Sequence, residues 1–289
     1  MYIRQQPVCV SLLLALLVAF RVDAVSQDSV ASHANSAPGG SIRRIVSLGL
    51  AGSAFSGLFV ESYKTWWRDS HRSFSFYDDN WFGGHHGIDK AGHMFGGYAM
   101  FRMTRDFLEY GNHDRQTAFW WAVSASLLHS LGLEIGDGFS GYGFDYQDLI
   151  FDCIGLGFGM AQVWMPQLQN FNLKFSYWSA RGSLVSPPRV TQDYDALTIW
   201  LTCNMHNVLP GQWGKYWPEF LQIAVGYGVD KNQTRSEIVF GIDFNLDVFS
   251  IGNPELDLVK RQLDLMHFPA PALESVEGSG FKAHLLHLR

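Results

Sequence analysis

The chain has 289 residues, of which 47% are hydrophobic and only 17% charged, and its formal net charge at pH 7 is −6. Soluble domains carry about 25% charged residues, so this chain has little charge to cover its surface, which favours a membrane or a permanent partner. Nucleic acid is excluded as a partner, because phosphate binding needs clustered Lys and Arg and the sequence has no such cluster. The length allows one large domain or two small ones.

The N-terminus has the layout of a secretory signal peptide, predicted to cover residues 1–24. Arg4 supplies the positive charge, residues 8–20 form an apolar core, and residues 22–24 place small side chains at a cleavage site. The core is shorter than the roughly 20 residues of a membrane span, so we predict cleavage before Val25 and export, with an uncleaved anchor as the alternative. Cys9 lies inside the core, which is not the position of a lipid attachment site.

A flexible leader and a helical domain are predicted next. Residues 25–41 are rich in Ser, Ala, Gly and Asn, which is typical of a flexible segment. Residues 42–166 form the helical domain, which ends at Pro166. Its four predicted helices cover about residues 43–67, 89–111, 115–136 and 146–164.

Small residues recur at four-residue spacing in these helices. The sets are Gly49/Ser53/Gly57, Gly92/Gly96 and Gly155/Gly159. A helical glycine costs about 1 kcal/mol against alanine, and close helix packing in a bilayer is one reason to keep it. The apolar runs 45–60, 117–133 and 149–165 reach the lower length limit of a span. We therefore predict a membrane-associated four-helix bundle; a soluble bundle with tight crossings is the alternative.

Beyond Pro166 the pattern changes to the alternation of β-strands. Apolar and polar residues alternate over 197–205 and 238–246, and residues 173–179 and 221–227 are two further candidate strands. Gly and Asn around residues 228–232 predict a hairpin. The predicted fold class is therefore α+β, with a small antiparallel sheet of about four strands in residues 167–252, packed against the bundle or a membrane face. Residues 253–289 are assigned to a C-terminal tail.

Ionisable residues lie on one face of each of three predicted helices. Such residues are expensive to bury in apolar helices and usually face one another or a wet cavity. We therefore predict that they line one binding site. Its predicted members are Asp89, Lys90, His93, Glu134, Asp137, Asp148 and Asp152.

The motifs that carry these residues resemble a known family. They read D-K-A-G-H from residue 89, L-E-I-G-D-G-F-S from residue 133 and D-L-I-F-D-C-I-G from residue 148. Their order over about residues 43–165 resembles the YfiM-like family, an exported family with a domain of unknown function. It is also similar to VanZ-like membrane proteins, which show D-K-x-x-H, a glutamate and D-x-x-x-N-x-x-G.

The resemblance implies an envelope helical domain without an established reaction; VanZ-like proteins are linked to resistance to glycopeptides such as teicoplanin. Two positions depart from the family pattern. Leu133 replaces a frequent Lys, which removes a counter-charge for Glu134, and Asp152 replaces the usual Asn, which adds an acid beside Asp148.

Three interpretations of the polar residues stay open. They form a satisfied buried network that fixes helix register, or they bind a lipid or lipid-linked headgroup. Alternatively, the protein is a hydrolase or transferase acting on a lipid or cell-wall-linked substrate. In that case Glu134 or Asp148 is the general base, and His93 is the acid or the ligand of a metal completed by carboxylates. The chain lacks H-E-x-x-H, C-x-x-C and G-x-S-x-G motifs, which favours a protein that is not an enzyme.

The expected surroundings complete the prediction. The partner is a membrane lipid or its headgroup, with an envelope protein as a further possibility, and the location is the periplasm or outer membrane. No cofactor or metal is predicted, since the pair His85-His86 in a Gly-flanked loop is expected to be exposed. Cys153 and Cys203 form one disulfide or remain two buried thiols. The Trp residues form an interfacial belt or ordinary core; they are Trp66, Trp67, Trp81, Trp120 and Trp121.

Overall fold

A computed structural model describes residues 38–77, 81, 84–178 and 193–288. The predicted signal peptide and Cys9 lie outside these residues. The described helices are α1 (Pro38–Ser62), α2 (Ile88–Tyr110), α3 (Arg115–Gly138), α4 (Tyr146–Trp164), α5 (Met205–Val208) and α6 (Pro254–Leu263). The described strands are β1 (Phe76–Tyr77), β2 (Phe144–Asp145), β3 (Phe171–Tyr177), β4 (Leu197–Cys203), β5 (Leu221–Val229), β6 (Ser236–Phe244), β7 (Ala270–Val276) and β8 (Gly280–His287). The predicted α+β class is confirmed.

Helix boundaries follow from local capping. The Asp114 carboxylate accepts the Thr117 N–H at the start of α3, and the Asp145 carboxylate accepts the Gln147 N–H at the start of α4. Helix α2 follows Gly87, whose φ of 77° only glycine adopts readily, and places Asp89 in its first turn. Helix α1 begins at Pro38, so the last residues of the predicted leader are helical.

Helices α2 and α4 cross in backbone contact. A Cβ added to Gly155 would lie 1.7 Å from the Met94 carbonyl oxygen, and one added to Gly97 would lie 2.1 Å from that of Asp152. The glycines of α1 behave differently, since nothing lies within 4 Å of a Cβ built on Gly49 or Gly57. Among the described residues, the small-residue pattern therefore marks a close crossing at Gly155 of α4 but no close neighbour at Gly49 or Gly57 of α1.

Helix α1 packs on α3 through its own large side chains. The Phe59 ring lies over Gly132, and the Trp67 indole, in a π-helical turn (Tyr63–Trp67) that continues α1, lies over Gly136. Trp67 is thus half-buried in the contact between α1 and α3, whereas Trp121 is exposed. By length and composition, one helix among the described residues is apolar enough to cross a membrane, and it spans Gly40–Trp67.

The main sheet is antiparallel and runs in the order β3-β4-β5-β6-β7-β8. The prediction of about four strands was wrong, because two more strands and helix α6 lie in the predicted tail, residues 253–289. Their sequences contain prolines and histidines that interrupt a simple alternation. The free edge of β3 is also bridged: the Leu265 carbonyl accepts the Phe175 N–H, and the Phe175 carbonyl accepts the His267 N–H. The predicted hairpin joins β5 and β6.

In this sheet the face that carries the polar side chains is buried and the apolar face is exposed, which is the reverse of the usual arrangement in a soluble protein. Its polar face is buried and includes Thr198, Thr202, Gln222, Glu237 and Asp243. Its apolar face is exposed over several strands, at Leu201, Ile223, Val225, Ile238, Phe240 and Leu273. Helix α2 covers part of the apolar face: Ile88 and Phe95 pack near Ile199 and Phe175, and Tyr98 and Ala99 cluster with Leu173. The remainder is an unusually apolar surface.

Candidate functional site

Helices α2, α3 and α4 bring the predicted polar residues to one place. Lys90 is 1% exposed, and its ammonium nitrogen lies 2.6 Å from Asp148 Oδ1, 2.8 Å from Asp145 Oδ2 and 3.5 Å from Asp89 Oδ2. Burial alone lowers the pKa of Lys90, but hydrogen bonds to Asp145 and Asp148 outweigh it and raise the pKa above its usual range. Lys90 is therefore a permanent cation in the network.

His93 lies between three carboxylates. Its Nδ1 is 3.2 Å from Asp152 Oδ2, and its Nε2 is 3.6 Å from Asp148 Oδ2 and 4.0 Å from Asp89 Oδ1. Burial opposes protonation, but the charges of Asp152 and Asp148 raise the pKa of His93 well above its usual 6.5. Asp152 is thus a direct partner of the imidazole.

Burial acts in the opposite sense on the acids. It raises the pKa of Asp148 to about 7 and that of Asp152 above its usual value. Asp89 differs, because the charge of His93 and a hydrogen bond from Tyr194 outweigh burial and lower its pKa. The site therefore combines a permanent cation with a carboxyl group that exchanges its proton near neutral pH.

Glu134 is the most isolated acid of the site. It is 1% exposed, and its Oε2 accepts the backbone N–H of Asp145 at 2.9 Å. Its Oε1 has no hydrogen-bond partner in the described part of the chain. Burial raises the pKa of Glu134 well above its usual range. The absence of a Lys at position 133 is consistent with this isolation.

Asp137 stands apart from the other predicted site residues. Its Oδ1 accepts the Trp67 indole N–H at 2.8 Å, which ties α3 to the end of α1. Burial raises the pKa of Asp137 to about 6. The geometry therefore gives Asp137 a packing contact outside the cluster around His93.

Two residues of the site were not predicted from the sequence. Asp145 caps α4 and also pairs with Lys90. Tyr194 lies in the turn before β4, where its hydroxyl donates to Asp89 Oδ1 at 2.6 Å and its ring stacks on His85 at 4.5 Å. No pattern in the sequence marks Tyr194, because the contact joins residues 105 positions apart.

Two trios of side chains in the site have the spacing of metal ligands. Asp89, His93 and Asp148 form the outer trio, while His93, Glu134 and Asp152 form the inner trio. In each, one ligand atom per residue lies within 4.8 Å of the other two. Of the pair that was expected to be exposed, His85 is exposed but His86 is half-buried in the wall of a cleft. Both Cys153 and Cys203 are free thiols.

An apolar cleft of about 290 Å³ lies beside the polar cluster, between α2, α4 and the sheet. Ala91 and Met94 form one wall, and the opposite wall is formed by Leu201 and Val225 from the apolar face of the sheet. Lys90 belongs to both the cleft and the polar cluster. His86 and Phe151 also line the cleft.

A second buried charge cluster fastens α2 to the sheet interior. Lys174 lies 2.7 Å from Asp243 Oδ2 and 2.9 Å from Asp264 Oδ1. Arg102 on α2 reaches the same Asp264 at 3.3 Å and Asp247 at 2.8 Å. The sequence analysis missed this cluster, whose acids are spread over distant elements. The charges of this cluster are paired with one another, which is typical of a structural network.

The fold and the site together define an α+β protein with a buried polar site between three helices and an apolar cleft beside it. A family model described as "Predicted periplasmic lipoprotein (DUF2279)" matches residues 78–163, a range that contains all seven predicted site residues. This similarity supports an exported domain of unknown function and confirms the predicted location, exported and periplasmic or membrane-associated. No curated protein and no solved structure matches the chain.

Proposed function

We propose that the protein docks on an envelope membrane and binds a membrane lipid in the cleft between α2 and the sheet. The observation that carries this proposal is the continuity of the cleft with an exposed apolar surface at one side and the polar cluster at the other. Leu201 and Val225 belong to both the cleft and the exposed face, and Lys90 to both the cleft and the polar cluster. Kinship with the YfiM-like and VanZ-like proteins is part of the same proposal.

Two exposed apolar surfaces support membrane docking. Helix α1 exposes Ile42, Ile45 and Leu48, side chains that would be buried in a soluble bundle. The sheet exposes its apolar rather than its polar face. Contiguous apolar patches of this kind mark protein or membrane contacts. We expect carbonate washing to leave the full chain in the membrane pellet; its release would contradict docking through these surfaces.

The cleft fits an acyl chain better than a polar metabolite. Ala91, Met94, Leu201 and Val225 are apolar, and the volume of about 290 Å³ lies at the lower end of ligand pockets, about 300 Å³. His86 supplies a polar group that can orient a ligand, while the buried Lys90, whose ammonium is paired with Asp145 and Asp148, forms part of the wall. A lipid chain would enter past Leu201 and Val225, and its headgroup would lie beside His86.

Two matched substitutions test the lipid proposal. Val225 lines the cleft and is 42% exposed, whereas Ile238 lies on the neighbouring strand, outside the cleft, and is 43% exposed. Full chain extracted in mild detergent should retain lipid in native mass spectrometry. Val225→Trp should lose that lipid because the indole fills the cleft, and Ile238→Trp should keep it. Equal lipid occupancy in both variants would refute binding in the cleft.

The ionisation of Asp148 favours a second candidate, a hydrolase or transferase acting on a lipid or cell-wall-linked substrate. A carboxyl group with a pKa of about 7 beside the protonated His93 suits general acid–base catalysis at neutral pH. Asp148→Asn should then abolish turnover of an envelope lipid extract while the variant still retains lipid. Unchanged turnover in the variant, or no turnover by the parent, would leave lipid binding as the function.

A further inference from the structure

We propose that the inner trio, His93, Glu134 and Asp152, is a binding site for a divalent transition-metal ion. The site lies within the polar cluster and shares no residue with the apolar cleft. Acidic side chains gather for many reasons, so the proposal depends on the spacing of the three ligand atoms and on the unpartnered oxygen of Glu134.

The spacing matches that of ligands around one ion. Metal–ligand bonds to His nitrogen and carboxylate oxygen are about 2.0–2.2 Å long, which separates neighbouring ligand atoms by about 3 Å. His93 Nδ1 and Asp152 Oδ2 are 3.2 Å apart. A Glu134 oxygen completes the trio within 4.8 Å. A small side-chain rotation of Glu134 would bring all three to one ion.

Glu134 gives the independent indication of a missing cation. The residue is 1% exposed, and its Oε1 has no hydrogen-bond partner among the described residues. An unsatisfied buried acceptor is costly, and more so when it is charged. The fixed cation of the site does not serve it, since Lys90 bonds to Asp145, Asp148 and Asp89. A bound metal ion would satisfy Glu134 Oε1.

Neighbouring groups already orient the ligands. The Asp145 N–H holds Glu134 Oε2 at 2.9 Å, and the Ser130 side chain hydrogen-bonds to Asp152. Such second-shell contacts are what metal sites use to fix their ligands.

The ligand types select the class of ion. One imidazole and two carboxylates suit Zn²⁺, Mn²⁺ or Fe²⁺, whereas Mg²⁺ and Ca²⁺ prefer all-oxygen sites. Three protein ligands leave at least one position for water or a ligand group, the arrangement of catalytic rather than structural zinc sites.

The test uses the full chain in detergent, stripped with a chelator and titrated separately with Zn²⁺ and Mn²⁺ by calorimetry, with elemental analysis of the loaded protein. We expect one ion per chain. Loss of a second-shell partner weakens metal binding about 10- to 100-fold, so loss of a direct ligand in Glu134→Gln or Asp152→Asn should exceed about 100-fold. Asp137→Asn, on the same helix as Glu134 but outside the trio, should bind like the parent.

Three results would overturn the proposal. In the first, the parent binds neither ion stoichiometrically. In the second, a folded Glu134→Gln or Asp152→Asn variant binds the ion like the parent, and in the third, Asp89→Asn loses binding while Glu134→Gln keeps it. The last result would move the ion to the outer trio. Circular dichroism of the stripped variants separates ligand loss from misfolding, and two ligand variants guard against one failing to fold. Val225→Trp should keep the metal, so failure of lipid binding remains distinguishable.

Discussion

Substitution of Gly155 tests the close crossing of α2 and α4 on which the whole site depends. In Gly155→Ala the new Cβ would lie 1.7 Å from the Met94 carbonyl oxygen, 2.7 Å from its carbonyl carbon and 3.0 Å from the Tyr98 nitrogen. These neighbours are backbone atoms, so no rotamer change relieves the clash and the helices must separate. Overpacking of a tight core typically costs about 1–3 kcal/mol, occasionally more.

Gly157 is the matched control, two residues further along the same helix. A Cβ there meets nothing within 4 Å. Gly157→Ala should therefore gain the intrinsic helix propensity of alanine, about 1 kcal/mol. The same gain applies at Gly155. With an overpacking cost at the upper end of the range, about 3 kcal/mol, Gly155→Ala should lose about 2 kcal/mol net, and the two variants should differ by about 3 kcal/mol.

Unfolding of the full chain in detergent, followed by far-ultraviolet circular dichroism against denaturant, measures the difference. The Gly155→Ala midpoint should fall and the Gly157→Ala midpoint should rise. If the two variants were equally stable, the helices would not be in backbone contact at Gly155. The distances within the inner trio, which bridges α2, α3 and α4, would then be wrong as well.

Two further substitutions test buried charges. Burial raises the pKa of Asp137 from 3.8 to about 6, so the stability contribution of its protonated form is present below pH 4 and is lost as the pH rises to about 6. Asp137→Asn still accepts the Trp67 N–H, so it should be more stable than the parent at pH 7.5 by up to about 3 kcal/mol and no more stable at pH 3.5; a constant difference across these pH values would contradict the reasoning. Lys174→Met removes the lysine from the buried Asp243 and leaves Asp264 with Arg102 alone, so it should lower the free energy of unfolding by about 3–5 kcal/mol; a change below about 1 kcal/mol would show that water reaches this cluster.

Local patterns explain why three helices and four strands were predicted well. Helices α2, α3 and α4 lie within two residues of their predicted bounds, because caps and apolar periodicity are local signals. Strands β3 to β6 follow the predicted alternation for the same reason. Strands β7 and β8 were missed because their stability depends on pairing across the sheet, β7 with β6 and β8 with β7, and not on a local pattern.

The orientation of the sheet was beyond prediction. Alternation shows that a strand has a polar and an apolar face, but it does not show which face is buried. In this chain the polar face is buried, and Lys174 and Asp243 lie on it. The burial follows from the closure of the sheet, in which residues 265–267 hydrogen-bond to the edge of β3. Only the closure of the sheet, a contact between distant segments, decides this.

For the site, the sequence by itself determined which ionisable groups lie on inward faces of three helices, because a helix repeats every 3.6 residues. The tertiary structure decided how they pair: Lys90 neutralises Asp145 and Asp148, while Glu134 keeps an unpartnered oxygen. It also decided that Tyr194 joins Asp89. Pairing depends on distances of a few ångströms between separate elements, and these distances are set by the Gly155 crossing and the packing of the sheet against α2, which no local pattern encodes.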